Sequence, residues 1–230
     1  MASGVSPRHR VVASLATQSS GPAQMEQSST HGIQFIAGNL ALDFVNTVGE
    51  RAGDRREYLS NATEFNRWAR TAGLLRGGAR VRPTREYLER VRTVREELHR
   101  LFESLAFGAP VSARSIASLN ARIASIAPKR QLKCENNTVA WVWNSSANDP
   151  DRVLGPVLMS AAELLESGLF RRVRQCEGDR CGWLFLDRSP AGHRRWCSMA
   201  DCGNRAKARR YYRDHVASGR GTVSDASAGA

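Results

Sequence analysis

No stretch of this 230-residue chain approaches the ~18 consecutive apolar residues of a membrane-spanning helix, so no transmembrane anchor is expected. The segment from Met1 to Ala16 has basic residues but no adequate apolar run, which argues against a secretion signal and for a cytoplasmic protein. Cysteine is scarce, at five residues. In a reducing compartment a tight cysteine pattern more often means metal than disulfide. Internal repeats are lacking, as are Ser/His/Asp and HExxH patterns, and Asp43 by itself is no acid/base pair. An enzyme is therefore not expected. Residues 1–30 and 217–230, rich in small and polar residues with no hydrophobic period, read as disordered tails.

What the chain has in excess is positive charge, +12 overall, and it is unevenly spread. Between Arg171 and Arg213 twelve basic residues face four acidic ones, Glu177, Asp179, Asp187 and Asp201, so this short segment carries most of the excess. Charge concentrated in this way implies a polyanionic partner for that part of the chain.

Hydrophobic residues make up 41% of the sequence, enough for a core. Their spacing predicts a helical region over 31–168. A first helix, 39–48, would bury Leu40, Ala41, Phe44, Val45 and Val48. A second starts at the cap Asn61, with Glu64 at the third position, and ends at Gly73. A long third helix follows Thr84, with Leu88, Val91, Val94, Leu98, Leu101, Phe102 and Leu105 inward. A fourth starts near Ser112 and points Ile116, Leu119, Ile123 and Ile126 inward. The period then changes to two. Leu132, Cys134, Val139, Trp141 and Trp143 flank Asn136-Asn137, which predicts a β-hairpin with Cys134 as a buried free thiol. Asp149-Pro150 opens a fifth helix that Ser167-Gly168 closes. The expected class is α+β, mainly α: a helical N-terminal domain with a small hairpin, then a small module over 169–216.

In that module the spacing is Cys176-x4-Cys181, fifteen residues, then Cys197-x4-Cys202. Two close pairs separated by roughly 15–20 residues suit one tetrahedral structural Zn2+, whose four thiolates leave no open position for hydrolytic water. Incidental buried cysteines or redox disulfides are the alternative, and His193 could replace a thiolate. Arg174-Gln175 before the first pair and Trp183-Leu184-Phe185-Leu186 after it predict two strands joined by a metal knuckle. A helix from Asn204 to His215 follows the second pair. Its Arg205, Arg209 and Arg213 share a stripe, flanked by Lys207 and Arg210, while Asn204, Ala208 and Tyr211 would face the metal core. Three like charges at i, i+4 and i+8 repel mildly unless a polyanion lies against them. Arg194 and Arg195 extend the patch. Arginine can clamp phosphate or read the guanine edge. No interleaved aromatic platform for single-stranded bases is present, so duplex DNA is favoured over RNA.

Cys202-Gly203-Asn204-Arg205, with Ala206-Lys207 after it and Cys176-x4-Cys181 and Cys197 before it, resembles the CGNR zinc finger family. The front region resembles that family's usual partner, the Putative stress-induced transcription regulator domain. The carrying residues are Leu40-Ala41-Leu42-Asp43-Phe44-Val45-Asn46-Thr47, Phe65, Trp68-Ala69 and Gly73-Leu74-Leu75. The resemblance implies bacterial, stress-responsive transcription regulation through DNA binding. A zinc-stabilised module for protein interaction or RNA binding is the competing expectation.

One feature of the front region stands apart. Asn39, Asp43, Asn46 and Thr47 form a polar wedge of short side chains on the first helix, where exposed faces usually carry longer ones. Such groups suit either a ligand pocket for a small-molecule effector or a structural network. A homodimer is compatible with the sequence, which does not set the oligomeric state.

Overall fold

The computed structural model describes residues 33–144, 146 and 148–216; the two expected tails, 1–30 and 217–230, lie outside the described residues. Among the described residues, six α-helices and three separate antiparallel strand pairs make a mainly helical α+β fold. Helix α1 covers Leu40–Val45, α2 Ala62–Thr71, α3 Arg85–Ala106, α4 Ala113–Ile126, α5 Asp151–Glu166 and α6 Asn204–Val216.

Short polar side chains cap α1, α2, α3 and α4. Asn39 accepts from the amides of Ala41 and Leu42, and Asn61 from those of Thr63 and Glu64. Thr84 accepts from Tyr87 and Ser112 from Ser115. Each satisfies amide donors that have no partner inside the helix. The first helix is shorter than expected, because Val48 leaves it to form strand β1 (Val48–Gly49) against β2 (Arg56–Glu57). No two-residue period announces strands this short.

The hairpin is β3 (Arg130–Glu135) with β4 (Thr138–Trp143), in register Leu132 to Trp141 and Cys134 to Val139. Asn136 and Asn137 both have positive φ, at 51° and 58°, as a two-residue turn of this hand requires. Cys134, however, is exposed. Leu132, Val139 and Trp141 are 58%, 62% and 56% exposed on the same face. The alternation is as expected, but no second layer covers that face. Only the base of the hairpin is anchored: Trp143 lies so close to Gly155 of α5 that an added Cβ would sit 2.4 Å from its ring.

The main core joins α1, α2, α3 and α5 around Phe44, Phe65, Trp68, Val91, Phe102, Val157 and Leu158. Strands β5 (Val173–Gln175) and β6 (Leu184–Leu186) belong to that same core, packed on α1 and α3, with Val173, Leu184 and Phe185 fully buried. The strands of the cysteine module therefore share the core of the helical region. Three residues per strand bury too little apolar surface to stand alone, and α1 supplies the missing face.

Candidate metal centre and its basic helix

Cys176 directly follows β5, and its amide donates to the carbonyl of Trp183 at 2.8 Å, closing a knuckle that carries Cys181 on its far side. The chain then leaves β6 through a loop folded around buried Asp187, which accepts from the amides of Ser189 (2.8 Å) and Arg194 (3.0 Å). This returns Cys197 beside Cys176, whose sulfur accepts the Cys197 amide at 3.3 Å. A turn of π-helix, Met199–Gly203, capped by Ser198, delivers Cys202 and starts α6. Met199 crowds Gly203: an added Cβ would lie 2.4 Å from the Met199 sulfur, which would have to move aside.

The four sulfurs lie within 4.8 Å of one another. Cys197 is 3.6 Å from Cys181 and 3.7 Å from Cys202, sulfur to sulfur. Four Zn–S bonds of about 2.3 Å in a tetrahedron separate the sulfurs by about 3.8 Å, so the spacing fits. The proton chemistry agrees. Hydrogen bonds from Cys181 and Cys197 pull the Cys176 thiol down to about 2, the Cys176 thiolate pushes Cys181 up to about 12, and both neighbours drive Cys197 higher. Protein groups alone cannot keep four such neighbours ionised, whereas a divalent cation stabilises them together. The four cysteines are thus positioned to hold one structural zinc. His193 is not part of the cluster.

The arginines divide into two sets. Arg194 donates to the carbonyls of Trp196 and Cys197 and lies over the Phe185 ring, 4.4 Å from its centroid. It braces the metal loop. Arg205 donates to the Cys202 sulfur at 3.2 Å, offsetting thiolate charge. Arg195 pairs with Glu177 (2.7 Å) and Arg209 with Asp179 (3.0 Å), both in exposed ion pairs that solvent and salt weaken. Lys207, Arg210 and Arg213 are exposed and form no ion pair among the described residues. The expected stripe of Arg205, Arg209 and Arg213 is therefore partly engaged, and the open cations follow positions 207, 210 and 213. Asn204, Ala208 and Tyr211 do not pack on the metal core either: all three are exposed, Tyr211 to 60%. The first turn of α6 is fixed to the metal cluster and Arg209 ties its middle to Asp179, but residues 204–215 include no buried one.

The polar wedge on α1 is a network rather than a pocket. Asn39 caps the helix, and Asp43 accepts the Ala37 amide at 3.0 Å. Asn46 pairs with the Leu184 backbone in both directions, at 2.8 and 3.0 Å. Thr47 donates to Phe44 (2.7 Å) and accepts from Arg95 (3.3 Å). Short polar side chains were a real signal, but Asn46 serves the seam between α1 and β6 while the others cap α1 or bond Ala37, Phe44 and Arg95. Sequence reasoning missed the rest of that seam. Trp183 donates its indole N–H to Val48, the Arg51 amide donates to Cys181, and Arg180 pairs with Glu50 and Asp54. Contacts about 130 residues apart leave no local pattern to read.

Fold and site together define a zinc-binding protein in which a helical region and a four-cysteine module share one core. The profile described as ABATE, Putative stress-induced transcription regulator, matches residues 38–168, more than half of the chain, and the CGNR zinc finger profile matches 172–215. The protein belongs to the ABATE family and carries a CGNR zinc finger. A search of curated proteins found no match. Among the described residues no helix is long and apolar enough to cross a membrane.

Proposed function

We propose that this protein is a bacterial, cytoplasmic transcription regulator of stress responses that binds duplex DNA through α6, and that it is not an enzyme. One observation carries the reading: a thirteen-residue helix with five cations is pinned at its first turn to the metal cluster, holds one exposed Arg209–Asp179 ion pair and buries no face in the core. A helix that is polar all round gains no stability from a core, so its composition is explained by the surface it meets. Lys207, Arg210 and Arg213 would contact phosphates, while Arg209 and Arg195 can exchange weak carboxylate partners for the polyanion. Arg205 keeps the helix in place.

The test is titration of random duplexes of about 20 base pairs at several salt concentrations. Wild type should bind with a steep salt dependence, and the Lys207→Ala/Arg210→Ala/Arg213→Ala variant should lose about 2.7 from the log–log slope, at about 0.9 per contact. Unchanged binding by that variant, with zinc retained, would end the DNA reading in favour of a protein-interaction or RNA-binding module.

A further inference from the structure

A cavity of about 520 Å³ lies between α3 and α4, within the range of small-molecule sites, roughly 300–1,000 Å³. Its origin is legible in the two helices. On α3 the facing stripe is Val94, Glu97, Leu98, Leu101 and Ser104, at i, i+3, i+4, i+7 and i+10. The stripe on α4 that meets it is Ser115, Ser118, Leu119 and Arg122, at i, i+3, i+4 and i+7. At a helix–helix contact the side chains set the distance between the axes and must fill the space they leave. Here α4 offers two serines, too short to fill the gap, and Leu119 with Leu158 of α5 completes an apolar floor.

The charges around this floor do not cancel. Arg122 donates to both Glu97 carboxylate oxygens, at 2.8 and 3.2 Å, and the Ser118 hydroxyl joins at 3.2 Å. Those bonds, with Arg122 first, hold the Glu97 carboxyl below the usual range, so Glu97 and Arg122 neutralise each other. Arg100 and Arg114 also line the cavity, are exposed, and form no ion pair among the described residues. The cleft beside the zinc cluster, about 510 Å³, differs: its Arg180, Arg205 and Arg209 are matched by Glu50, Asp179 and Asp201.

We infer that the α3–α4 cavity binds a small organic anion, a carboxylate on a flat apolar body, with the body on the leucine floor and the carboxylate between Arg100 and Arg114. The Ser115 hydroxyl on α4 adds a donor for a polar substituent. The opposite side of α3 carries Glu103, which accepts from Gln175 of β5 at 3.0 Å, so an occupant would touch the same helix that supports the zinc knuckle. This site is independent of the DNA reading, since its test contains no nucleic acid.

The probe is 2-naphthoate, with neutral 2-naphthylmethanol as the comparison, titrated calorimetrically into the full chain. One naphthoate should bind per chain, about tenfold or more tighter than the alcohol, as charge-assisted hydrogen bonds allow. Arg100→Gln/Arg114→Gln should weaken naphthoate about tenfold and leave the alcohol within about twofold. Ser115→Phe should block both ligands, while Trp141→Ser, on the exposed hairpin, should change neither. Equal affinity for acid and alcohol, or naphthoate binding unmoved by the double arginine variant, would overturn the inference. Loss of binding in Trp141→Ser would do so too, by placing the ligand on the hairpin. Should Ser115→Phe fail to fold, the arginine variant, confined to exposed side chains, still decides.

Discussion

The strands and the helix of the zinc segment receive opposite treatment from the fold. β5 and β6 are only three residues each, yet Val173, Leu184, Phe185 and Leu186 are buried in the main core and tied to α1 by the Asn46 pair. α6 is thirteen residues long and buries almost nothing. One metal site serves both, since Cys176 and Cys181 flank the buried strands while Cys202 starts the exposed helix. The lesson is that zinc here closes the shared core at one end and presents a charged surface at the other. A test that separates the two ends either breaks or sharpens that view.

Metal loss should have the largest effect. Cys197→Ser, or chelation of the wild type, should release the zinc and destabilise the whole chain by several kcal/mol, since structural zinc in small modules contributes on the order of 10 kcal/mol. Hydrogen exchange in α3 should quicken together with exchange in β6. Unchanged protection of α3 after chelation would show that the two regions fold separately.

Next comes the seam. Asn46→Ala leaves a buried amide and a buried carbonyl of Leu184 unpaired, at about 1–3 kcal/mol each, and urea denaturation should register a loss of roughly 2–4 kcal/mol. Zinc content should be unaffected. A stability within about 0.5 kcal/mol of wild type would mean that β6 is held by the metal rather than by α1.

A pH effect follows from Asp43. Burial pushes its carboxyl up to about 7, against the opposing pull of the Ala37 and Ile36 amides. The folded value lies above the unfolded 3.8, so the folded state holds the proton more tightly. Its stabilisation is complete below about pH 4 and is lost as pH rises through about 7. Over that window the slope should approach about 1.4 kcal/mol per pH unit for one proton. Asp43→Asn, a neutral isostere, should flatten it; an identical pH profile in the variant would remove Asp43 as the cause.

The smallest effect separates Arg194 from Lys207. Arg194→Ala removes the brace on the Trp196 and Cys197 carbonyls and should cost about 1–2 kcal/mol of stability. Lys207→Ala should leave the melting temperature unchanged while reducing the salt slope of DNA binding by about 0.9. Equal behaviour of the two variants in both assays would dissolve the distinction between bracing and presented cations.

Much of this was legible locally. Caps at Asn61, Thr84 and Ser112, the left-handed turn at Asn136-Asn137 and the cysteine spacing are all written within a few residues of where they act. Burial was not legible to the same degree. Cys134 alternates as an inward residue would, but no layer covers its face. Arg205 and Arg209 sit on the expected stripe, yet nearby anionic groups, the Cys202 sulfur and Asp179, engage them first.

The sequence by itself determined the elements, the metal ligands and the concentration of positive charge, because each depends on short-range spacing, capping and ionisation. Only the tertiary structure decided that Asn46 serves a seam instead of a pocket, and that the zinc strands share the main core. It alone also left α3 and α4 apart around a charged cavity. Those outcomes depend on which surfaces meet across more than a hundred residues, and no local period encodes that.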